Sequence, residues 1–208
     1  MASSKNDTPA RLSLDLSSLP AEAREYVESL QDEIARLNDK LVEQKAQIRD
    51  LRREAIRDSL TGLLNRRGFQ RVVERTLDFV RRYDSSVGLI FIDMNAFKTI
   101  NDTYGHACGD QMLRHAAGVI RATLRSSDVV GRIGGDEFVA LLWKADEAST
   151  RDTATRVVEA LARAPMTFEG MEISASASVG VTRLLDGDDV DSVLDRADKD
   201  MYRAKTAR

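Results

Sequence analysis

The sequence has a single cysteine, no apolar stretch long enough to cross a bilayer and no surplus of basic charge, and each shortage removes a class of protein. Cys108 alone cannot build a disulfide framework, and a chain so poor in cysteine suits a reducing compartment. The longest apolar run, residues 87–92, falls far short of the roughly 20 residues a spanning helix needs. The opening residues, Met1 to Asp7, lack the apolar core of a signal peptide, so a cytoplasmic protein without direct membrane insertion is expected. A formal charge of −3 and a pI near 5.5 argue against a nucleic-acid backbone as the main partner, which calls for a basic patch. What remains is 208 residues, 42% of them apolar, enough for one well-buried domain plus an extension. No internal repeat is visible.

The extension comes first. Residues 1–17 are polar and rich in small side chains, without periodicity, and read as a flexible tail. A helix is expected over residues 18–57, with Ser18 as its cap, Pro20 in the first turn and Glu22 complementing the dipole. Its register is heptad: Val27, Ile34, Leu41, Ile48 and Ala55 share one position, and Leu30, Leu37, Gln44 and Leu51 the other. β-Branched residues at the first position and leucine at the second favour a parallel two-stranded coiled coil, hence a homodimer. An amphipathic helix packed on its own domain would show a wider stripe. Gln44 in the seam, and Lys40 facing Lys45 of a second chain, weaken the pair at its middle. Gln44 reads either as register control or as a device that keeps dimerisation marginal.

The globular part is expected over residues 58–208. Phe69, Val72, Val73, Leu77 and Val80 have helical spacing, and residues 87–92 form the continuous apolar run of a strand buried on both faces. Helical spacing resumes through Lys98 and from Gly109 to Arg125, then over about 148–164. A strand pair over about 166–183 and a helix over about 188–205 follow. Strands and helices alternate, so a sheet with helices packed on it is expected, α/β or α+β.

The focus is Arg132-Ile133-Gly134-Gly135-Asp136-Glu137-Phe138, set between two apolar runs. The glycine pair predicts a tight β-hairpin, because the favoured turns take backbone angles that glycine adopts without strain, and Gly134 and Gly135 let a bulky ligand approach. Asp93 ends the buried strand, and Asp136 sits on a hairpin that can pair beside it. Two carboxylates converging from strand ends make a hard oxygen site suited to Mg²⁺. Each also has a plainer reading: Asp93 as the cap of the next helix, Asp136 as the closure of the turn.

The segment from Phe91 to Asp110, including Asp93-Met94-Asn95-Ala96-Phe97-Lys98 and Asn101-Asp102-Thr103-Tyr104-Gly105-His106, resembles the diguanylate cyclase family, named for its GGDEF signature. The likeness extends to Asp58-Ser59-Leu60-Thr61-Gly62-Leu63-Leu64-Asn65-Arg66 and to Ala197-Asp198-Lys199-Asp200-Met201-Tyr202-Arg203-Ala204-Lys205. It implies an α+β, nucleotide-cyclase-like palm with a central, mostly antiparallel sheet and surrounding helices, preceded by the coiled-coil helix. It further implies that two Mg²⁺ ions, with Mn²⁺ as an alternative, are held by Asp93, Asp136 and the Met94 carbonyl. Asn101 and Asp110 match guanine-reading positions, with His106 beside them, and Gly134 and Gly135 border the substrate. Lys98 and Lys205 match positions that meet the triphosphate, and backbone N–H groups near Ala96 and Phe97 suit phosphate oxygens. Asp136, Glu137 and Lys98 are the implied catalytic residues, Glu137 orienting or deprotonating a 3′-hydroxyl. Asn95 stands where many members have a second Asp. Members usually continue past the Lys205 position with a Gly-Arg-Asn stretch and a closing strand, and Arg208 lies one place from the family's arginine.

The implied reaction joins two GTP into cyclic di-GMP with release of two pyrophosphates, one GTP per half site, so a two-fold coil and this chemistry call for one another. Arg125-Ser126-Ser127-Asp128 matches the family's RxxD product-inhibition motif, and Arg156 joins it from the next helix. The plainer reading is an arginine at a helix C-terminus with an aspartate in the following turn. Two other classes compete: an inactive cyclic di-GMP-binding module, which needs none of Asp93, Asp136, Glu137, Asn101 or Asp110, and a coiled-coil scaffold, which leaves the acids unexplained.

Overall fold

The computed structural model describes residues 20–83 and 85–206, without the side chains of 48–54. The expected tail, the Ser18 cap, Ile48 and Leu51 in the heptad seam, and Arg208 therefore lie outside the described residues. The chain divides near residue 50 into two units.

The first unit is helix. α1 spans Ala21–Glu54, opening directly after Pro20, whose carbonyl accepts from the Arg24 N–H at 3.0 Å. Its heptad side chains have nothing to cover them: Leu30, Ile34, Leu37 and Leu41 are 45%, 58%, 52% and 47% exposed. Leucine and isoleucine in a row at that exposure mark a face built for another helix.

The second unit is built on a four-stranded sheet, order β2-β3-β1-β6, from β1 (Val87–Met94), β2 (Val129–Arg132), β3 (Glu137–Trp143) and β6 (Ala177–Arg183). All three pairings are antiparallel. β1 lies between β3 and β6 with both of its faces buried, which is why its sequence is apolar at successive positions rather than alternate ones. Ile90, Ile92, Phe138 and Ala140 face a core closed by α4 (His106–Thr123) and α5 (Glu147–Arg163). Leu89, Phe91, Val139 and Leu141 face a second core, closed by α2 (Arg66–Tyr83) and α6 (Val190–Thr206). α3 (Phe97–Tyr104) follows β1 after two residues. α6 lies so close to β6 that a Cβ on Gly180 would fall 2.1 Å from the Ala197 carbonyl oxygen. Among the described residues no helix is long and apolar enough to cross a membrane.

Three local expectations need correction. The strand pair over 166–183 is three strands: β4 (Met166–Phe168) and β5 (Met171–Ile173) form their own two-stranded sheet, and only β6 joins the main one. The helix expected from Gly109 begins at His106, because Gly105 at φ 83° ends α3 and starts α4 in one residue. Finally, neither glycine of the hairpin has positive φ. The loop is longer than a two-residue turn, closed by the Ile133 N–H donating to the Glu137 carbonyl at 3.0 Å. A Cβ on Gly134 would crowd the end of the Glu137 side chain, 2.0 Å from Oε2, whereas one on Gly135 would face open space.

Candidate active site

The site forms where β1 ends and β3 begins. Asp93 lies directly opposite Glu137 across the β1–β3 ladder, so both project from the sheet face that α2 and α6 cover. Asp136 is next to Glu137, and its carbonyl accepts from the Met94 N–H at 3.1 Å, extending the pairing by one residue. Glu137 is partly buried. That burial, the adjacent Asp136 and then Asp93 and Asp198 raise its pKa above the ordinary carboxylate value, against an opposing pull from Arg66. The edge therefore concentrates negative charge beyond what its own arginine offsets.

Neither plainer reading of the two aspartates matches the geometry. α3 is preceded by Ala96, which provides no side-chain cap, while Asp93 accepts from the Lys205 ammonium on α6. The glycine loop is closed by Arg132, whose Nε and Nη2 donate to the Gly135 carbonyl at 3.2 and 2.7 Å. The Asp136 side chain is left free for other work.

Around this edge the other expected residues fall into two groups. Ala96, Phe97 and Lys98 form the start of α3, where Ala96 takes a left-handed conformation, φ 54° and ψ 23°. Alanine holds such angles only when its surroundings require them. With no side-chain cap, the first-turn N–H groups remain available to an anion. Lys98 is exposed. The second group spans α3 and α4. Asn101 leans over Gly109, where a Cβ would meet its side-chain oxygen at 1.9 Å, and Asp110 is the next residue of α4; both His106 and Asp110 are exposed. Asn95 is tied to the start of β6: its carboxamide accepts from Ser178 Oγ at 2.8 Å and donates to Ser176 Oγ at 3.3 Å.

The donor set suits a hard cation. Asp93 and Asp136 present only oxygen, and the Asp93 carboxylate already holds a positive group, the Lys205 ammonium. Among the described residues no three His, Cys, Asp or Glu side chains converge to cage an ion. An ion here takes the rest of its shell from a carbonyl, water and substrate phosphate, as Mg²⁺ commonly does.

Sequence reasoning missed the clamp behind the site. Arg132 Nη1 donates to both oxygens of Asp58, at 3.1 and 3.0 Å, and Arg66 Nε donates to the Ile133 carbonyl at 3.1 Å. Asp58 also accepts from the Thr61 N–H and hydroxyl, at 2.9 and 2.6 Å. Burial opposes ionisation of Asp58, but the Thr61 and Arg132 hydrogen bonds outweigh it and lower the pKa. Asp58, Arg66 and Arg132 all lie inside the motifs already singled out; their one detectable signal was the charge carried by each.

At the other end of β2, the Arg125–Asp128 turn is closed on itself. The Asp128 carboxylate accepts from the Arg125 N–H at 3.0 Å and the Trp143 N–H at 3.4 Å. The Arg125 side chain is exposed. Arg156 lines the same small hollow as Arg125 and Asp128, and its Nη2 donates to Thr153 Oγ1 at 2.9 Å.

Known proteins resemble this chain over most of its length. Residues 55–208 match the family model described as diguanylate cyclase, GGDEF domain. The chain is 34% identical over 208 residues to the diguanylate cyclase DgcP of Pseudomonas aeruginosa, covering 95% of this chain and 31% of that protein. The chain spans about a third or less of the length of DgcP and of the Escherichia coli proteins DgcE and DosC, to which it is also similar. Among solved structures, the coiled coil and GGDEF domain of Caulobacter crescentus DgcB in complex with c-di-GMP superposes with a TM-score of 0.80 at 25% identity, covering 86% of this chain and 95% of that one. The diguanylate cyclase SiaD of Pseudomonas aeruginosa, solved with its activator SiaC, gives 0.72 at 30% identity, covering 89% and 72%. α1 fits a coiled-coil segment of the DgcB kind.

Proposed function

Because the chain belongs to the diguanylate cyclase GGDEF-domain family, we propose that it condenses two GTP into cyclic di-GMP and two pyrophosphates as a coiled-coil homodimer in the cytoplasm. The observation that carries this reading is Asp93 set opposite Glu137 across adjacent strands with Asp136 beside them. In it, Asp93, Asp136 and the Met94 carbonyl hold two Mg²⁺ ions at each GTP. Bound there, the metal neutralises charge on the reacting phosphate and the departing pyrophosphate, and Mn²⁺ serves the same role.

The protein's own groups position the reactants. Asn101 and Asp110 read the guanine edge, an amide beside a carboxylate that accepts from its N–H groups, with His106 nearby. The α3 N-terminus and Lys98 receive the phosphates. Lys205, which meets Asp93 here, would serve the triphosphate. Glu137, its proton affinity raised by burial and neighbouring acids, suits a group that takes a proton from the 3′-hydroxyl. Each domain supplies half a site, and the exposed leucine and isoleucine face of α1 raises the effective concentration of the other half. Arg125, Asp128 and Arg156 bind the product and slow the enzyme.

Incubation with GTP and Mg²⁺, followed by chromatography, is expected to yield one cyclic di-GMP and two pyrophosphates per two GTP, at a specific activity that rises with protein concentration. Absence of cyclic di-GMP would leave the binding module and the coiled-coil scaffold. Gln44→Leu should tighten the dimer by about tenfold in sedimentation equilibrium. An unchanged dissociation constant, with unchanged activity of dilute protein, means that dimerisation is not tuned at that position.

A further inference from the structure

Three neighbouring strands each put one residue into the row that crosses the sheet at the candidate site: Glu137 on β3, Asp93 on β1 and Ser178 on β6. Directly opposed residues share a face, so Ser178 flanks Asp93 on one side as Glu137 does on the other. Its hydroxyl serves the turn that follows β1. Ser178 Oγ donates to Asn95 Oδ1 at 2.8 Å, Asn95 Nδ2 donates to Ser176 Oγ at 3.3 Å, and the Asn95 N–H donates to the Ser176 carbonyl at 2.8 Å. Asparagine suits this place because one carboxamide both accepts and donates. The backbone bond reaches the site directly. The Asn95 N–H and the Met94 carbonyl belong to one planar trans peptide and point in opposite directions. With that N–H fixed on the start of β6, the carbonyl faces the opposite flank of β1, the flank where the Met94 N–H meets the Asp136 carbonyl at 3.1 Å. The next residue, Ala96, takes its left-handed conformation, φ 54°, and opens α3.

We infer that Ser178 and Asn95 are positioning residues for the reaction: their latch between β6 and the β1–α3 turn sets the direction of the Met94 carbonyl and holds the left-handed start of α3. The inference rests on the reading of the Met94 carbonyl as a cation ligand. β6 supplies no group to the cation or the substrate in that reading, yet it aims one. The effect is one of population. A weakened latch lets the Met94–Asn95 peptide turn, and the affinity for the cation falls by the fraction of molecules that keep the carbonyl in place. Asn95 then acts through its hydrogen bonds to serine and needs no charge of its own, at a position where many family members have an aspartate.

Calorimetric titration of 3′-deoxy-GTP into the full chain, once with Mn²⁺ and once in EDTA, tests this without turnover, because that nucleotide lacks the attacking hydroxyl. The quantity read is the ratio of the two affinities, which a general loosening of the domain leaves unchanged. Loss of one neutral hydrogen bond in Ser178→Ala is expected to lower the ratio about fivefold. Asn95→Ala, which loses both carboxamide bonds, should lower it further, and Ser178→Thr, which keeps the hydroxyl, should restore it. Amide hydrogen exchange at residues 95–100 should quicken in the two alanine variants. A parental ratio in both Ser178→Ala and Asn95→Ala, with the ratio lost in Asp93→Asn, overturns this inference and leaves the cation site standing. A Ser178→Thr protein no better than Ser178→Ala overturns it too. A parental ratio in Asp93→Asn overturns the cation-site reading as well.

Discussion

Two acidic regions flank the glycine loop, and the fold treats them in opposite ways. On one side, Asp58 meets an arginine fork and a threonine, and its pKa falls below the ordinary value. On the other, Glu137 sits among further acids and its pKa rises. The first region spends its charge on holding the loop; in the second, Lys205 answers Asp93, while burial and neighbouring acids outweigh Arg66 at Glu137. A carboxylate with complementary partners contributes to stability, whereas one surrounded by like charge costs stability and gains an appetite for protons and cations. The separation of the two tasks is what lets the β1–β3 edge carry an unfavourable cluster without the loop giving way.

The sharpest way to break this comparison is to neutralise the second region. Asp136→Asn should lower cyclic di-GMP formation by about 10²–10³-fold, the scale of losing one electrostatic element of a reacting site, while the thermal midpoint stays level or rises. Activity from radiolabelled GTP and melting by circular dichroism measure the two sides. A variant that lost activity only because it melted would collapse the distinction.

Next in size is the first region. Asp58→Ala leaves Arg132, only 14% exposed, without its carboxylate, and should cost about 2–3 kcal/mol of unfolding free energy in urea. Activity is then expected to fall through misplacement of the loop and to recover in part when temperature is lowered. An effect below about 0.5 kcal/mol, the level of an exposed pair, would remove Asp58 from the clamp.

How much of this was open to sequence reading depends on the range of the interaction. Periodicity found α1 and α2, and the unbroken apolar run from Val87 to Ile92 correctly marked β1 as buried on both faces, because burial acts on each residue in turn. The motifs brought Asp93 and Asp136 together, and the structure sets their strands side by side. The clamp was hidden because Asp58 and Arg132 are 74 residues apart, and no local pattern records that distance. The glycine loop was read for the wrong reason: backbone angle was assumed, and neither Gly134 nor Gly135 takes a positive φ. The detached β4–β5 hairpin escaped because three-residue strands carry almost no alternation.

The smallest expected effect concerns pH and is the most direct test of the opposition. In metal-free protein, the raised pKa of Glu137 means that the folded state holds its proton at pH values where the unfolded chain has released it. Between the ordinary glutamate value, about 4.3, and the raised one, stability contributed at this position therefore declines as pH rises. Asp58 has the opposite sign: its contribution is present above the ordinary aspartate value and is lost as pH falls through the lowered one. Glu137→Gln, which cannot ionise, should be modestly more stable than the parent at neutral pH in EDTA, with the gap closing as pH falls to about 4. Urea midpoints across that range measure it. A gap that widened on acidification would mean that Glu137 is held ionised in the fold, and the two regions would then differ in partners but not in sign.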